Sequence, residues 1–380
     1  MPNDLPGINV VLDFASLLPP DSIPWPWLQA LVEREHPGLW DDVHNQLEPW
    51  LLPTETPQVA LMDPAVSAGL RRQMDETERT RKMALVRQHL VDIALHLKEA
   101  WRERTWELAP LQAAAAQWEQ ESRDAGYALV AGIAGEILTA QGRFDEAERL
   151  LLGSLEVRAA IYKANPSSTD AVRDGAIALE RAADLMVRRG RPEDADRALA
   201  GYRRSLEMSE QLLQAAPQSA QALRDLSVSL EKLGSCLAER GQGAEALTCY
   251  ERCLAVRRQL RQDAPGSAQP VRDLALITAR LAAFLQDRGD AKGALALHHQ
   301  ALDLARELRR LSPSSIADGQ ILVRLLMHAA QALEAADEDE AAAECLTECL
   351  AALGRLVESG AELDPGMREL FTLLNQEIEE

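Results

Sequence analysis

The chain has 380 residues, of which 47% are hydrophobic and only 4% are aromatic, and its formal net charge at pH 7 is −20. The apolar content excludes a disordered chain, the shortage of aromatic residues disfavours a β-sandwich or barrel, and the negative charge disfavours a nucleic-acid ligand. The abundance of Ala, Leu, Glu and Arg favours helices.

The acidic charge is concentrated at the two ends of the chain. Residues 1–50 carry eight acidic residues against Arg34 alone, residues 301–380 carry 17 against six basic ones, and residues 151–300 balance at 19 and 21. Acidic ends either attract a basic partner or keep the chain soluble. No basic residue precedes Arg34, no apolar run reaches the ~18 residues of a membrane span, and the five cysteines are an odd number. The sequence therefore predicts a cytoplasmic protein with reduced thiols and no membrane contact.

The first segment, residues 1–65, is predicted to be irregular and rich in tryptophan and proline. Residues 1–64 hold 11 of the 19 prolines, with short helical patterns around 27–35 and 39–47. Trp25 and Trp27 stand between prolines, which predicts an extended stretch. Exposed tryptophans in such a stretch are common interface anchors, so both are candidate partner-binding residues. The alternative is that they fold back and cover the first helices.

Residues 66–125 are predicted to form a pair of long helices. His89, Asp92 and His96 are spaced so that they can share one helix face, and both residue types bind zinc. No fourth ligand is evident nearby, which favours ordinary helix histidines over a metal site.

Two markers then recur at nearly the same period from residue 126 to residue 360. The glycine turns Gly142, Gly190, Gly241 and Gly289 lie 48, 51 and 48 residues apart. The loops that begin at Pro166, Pro217, Pro265 and Pro313 are spaced 51, 48 and 48. Two independent markers with one period predict about five copies of a supersecondary unit stacked as a solenoid. Asp337 falls where the turn glycine of a degenerate fifth copy would stand.

The copy from residue 220 to residue 267 shows what the unit is. Leucines at 226, 230, 233 and 237 lie on one face of a first helix, Gly241 ends that helix, and a second helix runs to Pro265. Small residues recur seven residues before and five residues after each turn, so that two helices can approach closely. The positions are Gly135, Ala183, Gly234, Ala282 and Ala330 before the turn, and Ala147, Ala246, Ala294 and Ala342 after it.

The order Gly234, Gly241, Ala246, Tyr250, Cys253, Pro265 resembles the tetratricopeptide repeat, in a long-helix form common in bacterial proteins. The resemblance implies an all-α, right-handed superhelical solenoid. An Arg-Asp pair near each first-helix start, such as Arg272-Asp273, is interpreted as a helix-start ion pair or an inter-repeat contact. After the repeats, Asp364-Pro365 is predicted to open a C-terminal capping helix within residues 361–380.

The chemically suggestive residues have structural interpretations. Cys249/Cys253 and Cys345/Cys349 each share a helix face, but they occupy the same positions two repeats apart, with a whole unit between them, which favours small buried side chains over metal ligands. His298 falls at the repeat position of Tyr250, which predicts a packing role. Nucleotide-binding, nucleophile-elbow and zinc-protease motifs are absent. The sequence thus predicts a protein that is not an enzyme and needs no cofactor.

The resemblance implies protein or peptide binding on the concave face, as a scaffold, adaptor or regulatory subunit of a bacterial assembly related to signalling or defence. The alternative is a receptor for a signal peptide or small ligand that changes shape on binding. A homo-oligomer is compatible with either function. In this family the groove is lined by first-helix residues two, three, six and ten positions before the turn. Arg188 is the only basic residue at these groove positions, so the groove is predicted to bind a partner of basic or mixed charge. The acidic and amide positions are Glu136, Glu180, Asp184, Glu231, Glu239, Asp287, Gln331 and Glu334.

Overall fold

A computed structural model describes the backbone of residues 6–379, without the side chains of residues 6, 99 and 376–379. Within it the chain forms two compact units, and the boundary lies between Ser205 and Leu206. Each unit is described by itself below.

Short elements joined by proline-rich turns begin the first unit. They are three helices and a three-stranded antiparallel sheet, in which the third strand along the chain lies between the first two. Ile23 pairs with Ala60, and Leu52 pairs with Leu61. The elements are α1 (Pro6–Leu17), β1 (Ile23–Pro24), α2 (Trp25–Glu35), α3 (Leu39–Val43), β2 (Leu52–Pro53) and β3 (Val59–Leu61).

Three helices follow where the sequence predicted two. They are α4 (Pro64–Gln73), α5 (Glu76–Ala100) and α6 (Leu108–Glu121). The extra break lies at Met74 and Asp75. Met74 is extended, and the Asp75 carboxylate accepts hydrogen bonds from the backbone amides of Thr77 and Glu78, at 2.9 and 3.3 Å. A capping aspartate satisfies amides that a new helix leaves unpaired, so a fresh helix starts here.

The remaining helices form the predicted series of hairpins and end in the predicted C-terminal helix. They are α7 (Ala125–Ala140), α8 (Phe144–Ala164), α9 (Thr169–Arg189), α10 (Asp194–Ala215), α11 (Ala220–Glu239), α12 (Gly243–Asp263), α13 (Ala268–Asp287), α14 (Ala291–Leu311), α15 (Ile316–Glu334), α16 (Asp339–Glu358) and α17 (Pro365–Glu379). In each hairpin the first helix is odd-numbered, from α7 to α15, and the second is even-numbered.

The turn and small-residue positions behave as the repeat pattern predicts. The four turn glycines have φ between 68° and 84°, and Asp337 has φ 60° at the corresponding place. The small residues are needed because helices touch there. A Cβ added to Gly234 would stand 2.9 Å from the ring of Tyr250, and one added to Gly135 would stand 2.6 Å from Leu151 Cγ. Both are closer than real carbon contacts, so the prediction of close helix approach is confirmed.

The Arg-Asp positions join neighbouring repeats within the second unit. Arg272 donates two hydrogen bonds to the carboxylate of Asp318 in the following repeat, at 2.6 and 2.9 Å, and Asp318 is completely buried. Arg224 Nη2 lies 3.5 Å from Asp273 Oδ2, again one repeat further on. The prediction of an inter-repeat contact is confirmed for these two arginines. A paired arginine is what allows a carboxylate such as Asp318 to be buried.

Each unit has its own apolar core. In the first, buried residues from Ile8 to Leu185 form one cluster that includes the N-terminal elements and the first hairpin. In the second, a cluster runs from Val271 to Leu374 and includes Met367 of the C-terminal helix. Among the described residues, no helix is both long enough and apolar enough to cross a membrane.

Candidate functional site

A pocket of about 140 Å³ lies in the first unit where the first helices of two hairpins meet the end of α5. Helix α7 packs against α9, and α5 packs against α7, so three elements converge there. We call it the first-helix pocket. Three predicted groove residues, Glu136, Asp184 and Arg188, lie in its wall. The full lining is Lys98, Trp101, Glu136, Ile137, Thr139, Ala140, Arg181, Asp184 and Arg188.

The carboxylates of this pocket are already hydrogen-bonded to neighbouring side chains. Arg181 Nε donates to Glu136 Oε2 at 2.8 Å, and Tyr202 donates its hydroxyl to Asp184 Oδ1 at 2.6 Å. Lys98 and Arg188 are exposed, and neither has an ion pair with a described residue. The ionic groups left for a ligand in this pocket are therefore cations, next to the apolar surfaces of Trp101 and Ile137.

Two more predicted groove residues form hydrogen bonds or ion pairs with side chains of neighbouring helices. Glu180 is buried and accepts a hydrogen bond from Ser205 Oγ at 2.6 Å. Glu231 lies between two arginines, with Arg257 Nη2 at 2.5 Å and Arg280 Nε at 3.1 Å. Arg257 is only 4% exposed, so its charge depends on this carboxylate for compensation. A role of these residues in binding stays a prediction, and their contacts give each a structural role.

The other four predicted groove residues belong to the second unit and are exposed. They lie near the ends of three first helices, α11, α13 and α15, and none of them lines the first-helix pocket. They are Glu239, Asp287, Gln331 and Glu334.

The two N-terminal tryptophans are helical and not extended as predicted. Both belong to the first turn of α2, with Pro26 between them. Proline is tolerated in a first turn because the amides there have no helical partner, which explains why a proline-rich stretch still forms a helix. Trp27 is 2% exposed and its Nε1 donates to Glu107 at 3.0 Å. Trp25 is half-buried, edge-on to Trp40, so contact with a partner stays a prediction that concerns chiefly Trp25.

Sequence reasoning missed Lys98 and Trp101, which complete the pocket. Both lie outside the repeats, and no periodic marker relates them to the turns. The available signal was compositional, since a tryptophan next to an arginine at a helix end is a common contact surface. The structure also places the Arg102 guanidinium 4.8 Å from the Trp101 ring.

The cysteines are buried, as the repeat register predicted. Burial raises the pKa of the Cys253 thiol to about 12 and that of Cys349 to about 11. Cys253 donates to the backbone oxygen of Ser227 at 3.1 Å. Over the part of the chain that the structure describes, no group of three or more His, Cys, Asp or Glu residues is arranged to hold a metal ion.

Three stretches, residues 134–167, 226–263 and 274–309, match the family model of the tetratricopeptide repeat. Each begins in the first helix of a hairpin and ends in or just after the second. The chain carries tetratricopeptide repeats.

The chain is also similar, at low sequence identity, to several solved structures. BtubC (BKLC) from P. vanneervenii is 17% identical, with 73% of this chain and 94% of that chain covered and a TM-score of 0.49. The nuclear import adaptor Nro1 of S. pombe is 14% identical, with 76% and 99% covered and a TM-score of 0.45. A Rap protein complexed with competence and sporulation factor is 15% identical, with 88% and 85% covered and a TM-score of 0.44. No curated protein matches the sequence.

Proposed function

We propose that this tetratricopeptide-repeat protein is a non-enzymatic scaffold that binds a protein or peptide of mixed charge on the faces of its first helices. The observation that carries the proposal is the first-helix pocket, where a tryptophan and two cations without carboxylate partners among the described residues surround a small apolar surface. Binding sites of this kind combine an aromatic anchor with a few polar groups that fix orientation. Acting through a bound partner, the protein would serve as an adaptor or regulatory subunit.

Mixed charge is favoured because the two units offer opposite signs. In the first unit, Lys98 and Arg188 suit a carboxylate of the ligand, while Trp101 and Ile137 suit an apolar side chain beside it. In the second unit, the exposed ionic groups at the predicted groove positions are the acidic residues Glu239, Asp287 and Glu334, which suit basic side chains. Complementary charges of this kind increase association rates and select between partners.

A binding role is favoured over catalysis by the side chains that line the pocket. Its two carboxylates are held by Arg181 and Tyr202, and its one hydroxyl, on Thr139, donates to the backbone oxygen of Gly135 at 2.8 Å. Such an arrangement supplies charge and shape without a nucleophile next to a general base.

The full chain can be tested by selecting ligands from a random peptide library displayed on phage. We expect enriched sequences to place an acidic residue beside an apolar one. The variant Lys98→Glu/Arg188→Glu should weaken binding of the best peptide at least tenfold, as measured by titration calorimetry. The matched control is Lys163→Glu/Lys292→Glu, which makes the same charge change at exposed positions of α8 and α14. Equal affinity for wild type and the pocket variant would contradict the proposal.

A further inference from the structure

The second helices of neighbouring repeats in the second unit are joined by a side-chain pair that recurs at one separation. Arg252 Nη2 lies 2.7 Å from Glu210 Oε1, 42 residues earlier in the chain. Arg306 Nε lies 3.1 and 3.2 Å from the two carboxylate oxygens of Glu348, 42 residues later. Both pairs are arginine–carboxylate ion pairs, although the order of the charges is reversed.

Between them lies a third pair that is not an ion pair. Arg258 stands 48 residues before Arg306, and Gln300 stands 48 residues before Glu348, so the two pairs occupy equivalent positions. Arg258 Nη2 lies 3.4 Å from Gln300 Oε1. A side-chain amide accepts a hydrogen bond but carries no charge. In the contact between α12 and α14 the partner of the arginine is therefore uncharged, whereas both neighbouring contacts supply a carboxylate.

The same contact borders a cleft of about 440 Å³ between α12, α13 and α14. Its lining is mixed, with the half-buried Leu304 as its apolar surface, and Arg258 and Arg310 stand at its edges as exposed residues. This volume falls within the range of about 300–1,000 Å³ that is usual for ligand sites.

The other charges of the cleft are compensated. Arg261 Nη2 lies 2.7 Å from Glu307 Oε2, and Asp303 Oδ1 lies 3.5 Å from Arg306 Nη1. Arg258 and Arg310 have no ion pair among the described residues, and the buried Nε of Arg261 has no hydrogen-bond acceptor there. The cleft thus offers two cations that have no ion pair among the described residues, beside the half-buried Leu304, in a chain whose net charge is −20.

We propose that this cleft binds an acidic peptide segment of a partner protein. Carboxylates of the segment pair with Arg258 and Arg310 as Glu348 pairs with Arg306, and an apolar side chain between them covers Leu304. The apolar surface of Leu304 favours a peptide over a free phosphate, which has no apolar part. The net charge of the chain disfavours a long polyanion such as nucleic acid. This inference is independent of the first-helix pocket.

The test uses the full chain and a fluorescein-labelled hexapeptide, Glu-Leu-Glu-Glu-Leu-Glu, followed by fluorescence anisotropy at low ionic strength. The decisive variant is Gln300→Glu, which installs in the cleft the ion pair that the next repeat already has. It should weaken binding at least tenfold while leaving the thermal midpoint equal or higher, so a loss of binding cannot come from unfolding. Arg258→Gln should weaken binding to a similar extent.

The control Arg252→Gln removes an equal charge at the neighbouring interface and should leave the affinity unchanged. The Lys98→Glu/Arg188→Glu variant, whose first-helix pocket no longer suits an acidic probe, should still bind the hexapeptide and should lose at least tenfold in affinity when Gln300→Glu is added, so the two proposals can fail separately. Failure of the probe to bind at about 1 mM, or equal affinity for Gln300→Glu and wild type, overturns the inference. Competition by inorganic phosphate or by an oligothymidylate as strong as that by the unlabelled hexapeptide overturns the assignment to a peptide.

Discussion

Asp337 adopts a backbone conformation that the other repeats leave to glycine. Its φ is 60°, close to the 68° of Gly190, and it is the only non-glycine residue with positive φ among the described ones. A side chain in the left-handed region costs about 1–2 kcal/mol relative to glycine, and less for aspartate than for most residues. The fifth hairpin therefore carries local strain that the first four do not.

Asp337→Gly should raise the free energy of unfolding by about 0.5–1 kcal/mol, because the relief of strain exceeds the extra chain entropy of glycine. Urea titration followed by circular dichroism measures the change. Glu338→Gly is the matched control. Glu338 has φ −101°, where glycine relieves no strain, so this substitution should lower the free energy of unfolding. A stability below that of wild type for Asp337→Gly would show that the aspartate side chain stabilises this turn.

The spacing of the turn glycines was enough to predict that Asp337 stands at a turn, because it lies one repeat length after Gly289. The roles of Glu136 and Glu231 could not be predicted in the same way. Helical spacing places them on the first-helix face, but their arginine partners belong to other helices, 45 and 26 residues away. Sequence periodicity fixes which face a residue occupies and contains no information on which side chain from the next helix reaches it.

At the scale of elements, the packing of α14 against α15 includes two histidines. His298 is 3% exposed, its Nε2 lies 3.2 Å from Gln286 Oε1, and its ring centroid lies 6.3 Å from that of His328. Burial, followed by the charges of His328 and His299, lowers the pKa of His298 to about 4. Burial and Arg324 lower the pKa of His328 as well. Tyr250, which cannot become positively charged, occupies the equivalent place one repeat earlier.

The unfolded chain, in which a histidine has a pKa near 6.5, therefore binds protons more tightly than the folded one. The contribution of neutral His298 to stability is complete above about pH 7 and is lost as the pH falls from 6.5 towards 4. Between pH 7.5 and 5.5 we expect wild type to lose about 1 kcal/mol through this residue. His298→Tyr should remove that loss, as measured by urea titration at each pH.

His96→Tyr serves as the control, because His96 is exposed on α5 and the substitution should leave the pH dependence as it is in wild type. If the free energy of unfolding changed equally with pH in wild type and His298→Tyr, protonation of the buried imidazole would not destabilise the folded state. Titration of carboxylates does not obscure the comparison, since it is common to all three proteins and lies mostly below pH 5.5.

At the scale of the whole molecule, the predicted boundaries at residues 65 and 125 fall inside one apolar core. The cluster of the first unit joins residues such as Phe14 and Trp27 to Tyr127 and Val130. Helices α5 and α6 both pack against α7. Periodicity marks where the repeats begin, but it does not indicate whether the helices before them share their core. That depends on which apolar faces meet.

A fragment of residues 122–380 should remain helical and melt cooperatively, because each repeat contacts only its neighbours and the second core draws on residues 271–374 alone. Circular dichroism at rising temperature tests this. The face of α7 that α5 and α6 cover would be exposed, so we also expect concentration-dependent self-association in sedimentation velocity. A disordered spectrum would show that the N-terminal helices are an essential cap.

The order of the charges differs between two ion pairs that join second helices in the second unit. Glu210 fits Arg252, and Arg306 fits Glu348. Exchanging these partners would bring Glu210 against Glu348 and Arg306 against Arg252, so like charges would repel. Chains built from similar repeats are prone to join the wrong copies, within one molecule or between two. We therefore expect the difference in charge order to disfavour pairing between the wrong hairpins. A chain with identical ion pairs at every interface would lack this selectivity.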